Sequence, residues 1–230
     1  MVIGNGMVAK RFDSYQNDTK FLIFASGVSN SKTRNADAYD REKNLLKSEI
    51  EKNQEKVLVY FSTCSFYDPE EKNSLYVLHK QEIESLIQSH CRGYHIFRVS
   101  NLVGKSNNPN TVLNFFVYHV VNQINFDLWR GAVRNLIDID DMYKIVDYIL
   151  KQRVFLNQVI NIANPFSYKV GQVVTTIENL WKTQANYISI PKGSEFTIDT
   201  SVIAPIIRKL DIQFSENYLL HLLEKYYRDK

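Results

Sequence analysis

The chain has 230 residues, 44% hydrophobic and 23% charged, an ordinary globular balance sufficient for a real core in one domain or one domain with a small lobe. Its 28 Lys+Arg against 25 Asp+Glu give a formal charge of +3, and the basic residues are scattered, so no nucleic-acid surface is indicated. Two cysteines, Cys64 and Cys91, argue against a disulfide framework and for a reducing compartment.

The predicted elements alternate short apolar runs with longer amphipathic ones, the pattern of βαβ units around a parallel sheet. Residues 1–3 form the stub of a first strand, Gly4 to Gly6 turn the chain, and a helix covers 7–15. FLIF at 21–24 reads as a strand covered on both faces. A Glu/Lys/Leu-rich helix spans 38–52, and VLVYF at 57–61 is the next buried strand. Leu78, Glu82, Ile83, Leu86 and Ile87 share helical spacing within 76–89, and 94–99 is another strand. Further on, 111–123 and 140–151 read as helices, 158–162 as a strand, 170–181 as a helix, 187–190 as a strand and 216–227 as a last helix. No apolar run approaches the roughly 18–20 residues that span a bilayer, and the N-terminus lacks a signal-peptide pattern. A cytoplasmic protein is expected.

Three patterns carry chemistry. Gly4-Asn5-Gly6-Met7-Val8-Ala9 fits G-x-G-x-x-A, in which glycines let the backbone approach a pyrophosphate and Ala9 lets helix and strand pack closely. A packing turn without cofactor is the plain alternative. The short stretch before FLIF leaves no room for the second and third strands of a full nucleotide-binding half, nor for the acidic residue expected on the ribose. Next, the strand ending in Ser62-Thr63-Cys64-Ser65 delivers hydroxyls to a carboxyl end. Finally, Tyr76 and Lys80 lie four apart on one helix face. A nearby ammonium stabilises a phenolate, so the pair can exchange a proton with a sugar hydroxyl or carbonyl.

In this order the motifs resemble the extended short-chain dehydrogenase/reductases, specifically the NAD-dependent epimerase/dehydratase family of nucleotide-sugar enzymes. Phe24-Ala25-Ser26-Gly27 resembles the strand end that lines the cofactor, and Phe61 to Tyr67 the S-S/T-x-x-V-Y segment. Arg98 to Gly104 resembles R-x-S-N-x-Y-G, Arg134 to Asp141 the R-D-F-I-H-V-D-D segment, and Asn161-Ile162-Ala163-Asn164 the strand that follows. The resemblance implies an α/β fold: a Rossmann-like parallel sheet with helices on both faces and a small C-terminal substrate lobe. It divides the chain into a shortened NAD(P)-binding core, 1–110, and an interleaved substrate lobe, 111–230.

Thr63, Tyr76 and Lys80 fall on the catalytic positions. Gly4, Asn5, Gly6, Met7, Val8, Ala25, Ser26, Gly27, Ser62, Tyr76, Lys80 and Val99 would contact NAD or NADP. Asn101 and Arg134 would hold the diphosphate of a nucleotide sugar, and a homodimer is implied. Cys64 and Ser65 stand where dehydratases carry Asp-Glu, which argues against 4,6-dehydration. The implied reaction is reduction of a nucleotide-linked 4-keto sugar or 4-epimerisation. A non-catalytic binding protein of the same fold, or a fragment that lost strands, are the competing readings.

Other residues read more plainly. Cys64 is expected to be a small buried hydrophobe, and His79 to point off the catalytic face. The remaining histidines show no metal-ligand spacing, so no metal site is expected. Asp140 and Asp141 are expected to cap the helix they open. Trp129 and Arg130 line either the sugar-nucleotide pocket or a surface strand.

Overall fold

The computed structural model describes residues 1–228. In chain order its elements begin with β1 (Val2–Ile3), α1 (Met7–Arg11), β2 (Phe21–Phe24), α2 (Ala36–Lys52), β3 (Val57–Thr63), α3 (Leu75–His90) and β4 (Tyr94–Val99). They continue with β5 (Asn101–Val103), α4 (Val112–Val121), β6 (Phe126–Trp129), β7 (Val133–Arg134), β8 (Leu136–Asp138), α5 (Ile139–Gln152) and β9 (Gln158–Ile162). The last are β10 (Tyr168–Lys169), α6 (Val170–Trp181), β11 (Tyr187–Ile190), α7 (Ala204–Lys209) and α8 (Tyr218–Tyr227).

Five parallel strands in the order β1-β2-β3-β4-β9 make the central sheet. FLIF explains itself once its faces are assigned. Leu22 and Phe24 join Leu58, Tyr60 and Ile96 on one face, under Leu46 of α2 and Ile83 and Ile87 of α3. Ile23 joins Val59 and Phe97 on the other, under α1, α5 and α7. Strands buried on both sides keep every position apolar, and each large side chain so buried stabilises by about 1.5–3 kcal/mol. A further apolar cluster joins α4, α6 and α8. Three two-stranded sheets, β5 with β8, β6 with β11 and β7 with β10, supply the rest of the second half.

Among the described residues the sheet ends at β1, without the second and third strands of a full nucleotide-binding half. The connections β1–α1–β2 and β2–α2–β3 step the same way across the sheet, yet α1 and α2 cover opposite faces. The two connections therefore have opposite hands. Because about 98% of such crossovers are right-handed, one of them breaks the rule. In the order 3-2-1-4-5-6 the chain after the first helix would step outward. A right-handed outward step puts that helix on the face α1 occupies, so α1 sits as though the two strands were still there.

Two local expectations are corrected. Residues 7–15 are not one helix: α1 stops at Arg11, and a 3-10 turn covers Asp13–Tyr15. The break follows from Phe12, whose amide is shared between the Val8 and Ala9 carbonyls and whose ring is fully buried. The cap of α5 is Asp138, which accepts from the Asp140 amide at 2.8 Å. Asp140 and Asp141 sit in the first turn, where negative charge suits the helix dipole.

Candidate active site

All five sheet strands run the same way, so their carboxyl ends gather Gly4, Ala25, Thr63 and Ser100 at one edge of the sheet. Ligands of open α/β sheets bind at that edge. Gly4 has φ +130°, and a Cβ there would lie 2.4 Å from the Ala25 carbonyl oxygen. Only glycine fits this close approach. Gly6 precedes the first turn of α1, and a Cβ on it would meet nothing within 4 Å. Its open side faces a cleft of about 560 Å³ bounded by Asn5, Gly6, Met7, Lys10, the Lys105-Ser106-Asn107 loop, Lys225 and Tyr226. Lys225 is held by Asp138 and Asp140 at 2.8 and 2.7 Å. Lys10 and Lys105 bound the same cleft, which favours an anionic ligand. Met7 packs beneath Gly104, where a Cβ would come within 2.6 Å of its sulfur. Val8 is half-buried and Ala9 buried against the α1–α5 cluster.

After β2, Arg41 donates to the Ser26 hydroxyl and carbonyl at 3.3 and 3.2 Å. A Cβ on Gly27 would lie 2.9 Å from Lys80 Nζ. Beneath this loop is a charged cluster. Lys80, 2% exposed, donates to Glu42 Oε1 at 2.9 Å and to the Tyr60 hydroxyl at 2.7 Å. Tyr60 donates in turn to Glu42 Oε1 at 2.6 Å, and the Val28 amide donates to Oε2 at 2.7 Å. Burial works to raise the Glu42 pKa, but the ammonium and these hydrogen bonds outweigh it and hold the carboxyl well below its ordinary range. His79 is not turned away from this site: its Nε2 lies 3.1 Å from Glu42 Oε2, off hydrogen-bond alignment, and its ring tilts against Tyr39. Sequence reasoning missed Glu42 altogether.

Ser74 caps α3, accepting from the Val77 amide at 3.2 Å, and so fixes the turn that carries Tyr76. Tyr76 is half-buried, with its ring centroid 5.7 Å from Lys80 Nζ, and its hydroxyl bonds no other described residue. Thr63 caps the short turn after β3, accepting from the Ser65 amide at 3.0 Å and donating to the Ser65 hydroxyl at 2.9 Å. Ser62 donates to Glu84 at 2.5 Å, and Arg98 clamps that carboxylate with two bonds of 3.0 and 2.6 Å. Cys64 is buried, and burial pushes its thiol up to about 12. Val99 ends β4, and the next hydroxyl, Ser100 Oγ, is buried without a hydrogen-bond partner.

Asn101 donates to the Asn135 carbonyl at 2.9 Å across the β5–β8 pair. Arg134 donates to its neighbouring carbonyl at 2.8 Å and lies 3.7 Å from Asp68 Oδ2. Trp129 belongs to β6, beside β11, with Lys192 Nζ 4.3 Å above its ring.

A model of the NAD dependent epimerase/dehydratase family matches residues 8–163. The chain belongs to this family. The match starts just after Gly4 and Gly6, so the glycine turn rests on its own geometry. Among solved structures, a dTDP-glucose 4,6-dehydratase from Bacillus anthracis in complex with NAD is similar over 97% of this chain and 77% of its own, at 17% identity and a TM-score of 0.72. A UDP-N-acetylglucosamine 4-epimerase from Bacillus cereus is similar over 96% and 81%, at 20% identity and 0.68. RMD from Pseudomonas aeruginosa, complexed with NADPH, is similar over 85% and 86%, at 14% identity and 0.68. Among curated proteins nothing matches. At these identities the structures share the fold: a parallel sheet flanked by helices, Rossmann-like. No helix of the described residues is long and apolar enough to cross a membrane.

The residues present suit the phosphate end of a dinucleotide. A glycine turn with one open side, a lysine-bounded cleft and an unpartnered buried hydroxyl stand at the edge where the fold places ligands. The adenosine end has no second strand to rest on.

Proposed function

We propose that the protein is an NAD(P)-dependent enzyme acting on a nucleotide-linked sugar, either reducing a 4-keto sugar or epimerising a sugar at C4 through a transient ketone. The observation that carries this reading is the placement of Tyr76 and Lys80 on one face of α3, ammonium 5.7 Å from the phenol ring, at the carboxyl edge of the sheet. The nucleotide-sugar enzymes of the same fold support the substrate class. A bound nicotinamide would supply or take up the hydride.

Tyr76, its hydroxyl uncommitted, moves the proton at the sugar oxygen. Thr63 already donates to Ser65 and keeps a lone pair, so it orients that oxygen by accepting from it when it is a hydroxyl. Lys80 spends two of its three donors on Glu42 and Tyr60, and serves a ligand hydroxyl once it turns out of that cluster. Arg134 and Asn101 hold the diphosphate, for which a guanidinium offers paired donors. Lys10 and Lys105 attract the cofactor phosphates in the cleft. Exposed Leu75 and Leu78 on α3 suit the expected homodimer.

The test is thermal stabilisation by NAD, NADH, NADP and NADPH in turn. A cofactor at 100 times its dissociation constant adds about 2.7 kcal/mol. Hydride exchange with a panel of nucleotide sugars, read as nicotinamide absorbance, then identifies the reaction. A second reading, a non-catalytic nucleotide-sugar-binding protein, is favoured by the burial of Lys80 against Glu42 and by the missing strands. Stabilisation by a nucleotide sugar but by none of the four cofactors selects it.

A further inference from the structure

Glu42 is out of place. The other acids of α2 are exposed or half-buried, but Glu42 is 0% exposed and occupies a core position one turn before Leu46. Both its oxygens are engaged, one by Lys80 and Tyr60, the other by the Val28 amide. The carboxylate therefore ties the loop after β2 to the lysine of α3. The ammonium is 2% exposed and lies 2.9 Å from where a Gly27 side chain would begin, so that loop roofs it over. Tyr60 completes the enclosure, its ring centroid 4.8 Å from Nζ.

We propose that Glu42 is a positioning residue that holds Lys80 withdrawn from the cleft, so that the lysine reaches a bound nicotinamide ribose only by loosening its pair with Glu42. The proposal rests on the cofactor reading above. Lysine is long, and an ammonium deprived of its buried counter-charge extends toward water or a ligand. A purely structural carboxylate would, on removal, loosen the fold and weaken every ligand alike. A restraining one would, on removal, strengthen contacts to the ribose that Lys80 reaches and leave the rest unchanged.

The test compares wild type with Glu42→Gln, which keeps the shape and removes the charge. NADH and ADP are the probes, because ADP lacks the nicotinamide ribose. The dissociation constant for NADH is expected to fall about tenfold, the worth of one charge-assisted hydrogen bond, with that for ADP unchanged. Lys80 is also expected to become labelled by an amine-acylating reagent, read by peptide mass spectrometry, while it stays protected in wild type. Unchanged or weaker NADH binding in a folded Glu42→Gln protein, or a Lys80 already labelled in wild type, overturns the proposal alone. Failure of wild type to bind either NADH or ADP overturns the cofactor reading and this proposal with it. Should Glu42→Gln not fold, Tyr60→Phe removes one anchor of Lys80 without changing charge. It is expected to shift NADH binding the same way, about threefold, and no shift in that variant overturns the proposal.

Discussion

Glu42 and Lys80 form an ion pair at 2.9 Å with side chains 0% and 2% exposed, so neither charge has water to fall back on. Removing one partner strands the other. Lys80→Met should destabilise the protein by about 3–5 kcal/mol in chemical denaturation, because the short Glu42 side chain cannot escape its pocket. Glu42→Gln should cost less, since the lysine can extend. The double variant Glu42→Leu/Lys80→Met should recover most of the loss. Equal costs for the two single variants would contradict this account.

Tyr76→Phe should abolish turnover of any substrate found while leaving cofactor affinity nearly unchanged. The phenol contributes its hydroxyl to proton transfer, and that hydroxyl holds no other described residue in place. Steady-state kinetics beside calorimetric titration checks this. Substantial residual turnover would remove Tyr76 from the reaction.

The two glycines of the turn should respond differently to alanine. Gly4→Ala forces a side chain into φ +130° and into the Ala25 carbonyl, so the melting temperature should fall sharply. Gly6→Ala meets no neighbour, and its methyl group points into open space beside the cleft. Thermal stability should hold, while NAD(P) binding weakens as the methyl displaces the approaching phosphate. Calorimetry on both variants separates a structural glycine from a ligand-approach glycine.

His95 gives a pH signature of its own. It is buried, stacked on Phe97 with centroids 5.7 Å apart, and burial pushes its pKa down to about 4. The unfolded chain takes up a proton below about pH 6.5 and the folded one does so only near 4. Stability is therefore whole above 6.5, falls by up to about 3 kcal/mol on the way to pH 4, and gains no further loss from this group below that. The carboxylates held low by their partners act lower, from about pH 5 downward. In His95→Leu, urea unfolding should show a shallower slope between pH 6.5 and 5 than in wild type.

Asp138 holds three partners at once: the Asp140 amide, Lys225 and the Tyr226 hydroxyl, each at 2.8 Å. Asp138→Ala removes a helix cap and unlatches α8 from the start of α5. A loss of about 2–4 kcal/mol is expected. Lys225 and Tyr226 also bound the cleft, so cofactor binding should weaken in parallel. Denaturation and titration on this variant measure both.

The central sheet was legible because β2 and the first five residues of β3 are runs of large apolar residues that burial on both faces explains. In the second half the longer elements, α4, α5, β9, α6, β11 and α8, were legible too, but the shortest were not. Strands β7 and β10 are two residues each, and β5 and β8 three, too short for alternation to register. Helix α7, at six residues with the single Pro205 in its first turn, is too short for an amphipathic repeat to register. In the site, Tyr76, Lys80 and Thr63 announced themselves by order along the chain. Glu42 did not, because it stands among the charges of Asp40-Arg41-Glu42-Lys43. The signal was available in spacing: Tyr39, Glu42, Leu46 and Ile50 form one helical stripe, and a carboxylate within it needs a buried partner.

Strand β1 is bonded along one side only, through the Ile23 amide to the Met1 carbonyl and the Ala25 amide to the Ile3 carbonyl. An outermost strand of two residues is the cheapest part of the sheet to open, and it delivers the chain to the glycine turn. Any ligand seated on that turn must first quiet it, and gives up affinity to do so. Deuterium uptake at Ile23 and Ala25 should therefore slow on ligand binding more than at the inner strands, which makes the outer border of the sheet the most sensitive reporter of occupancy.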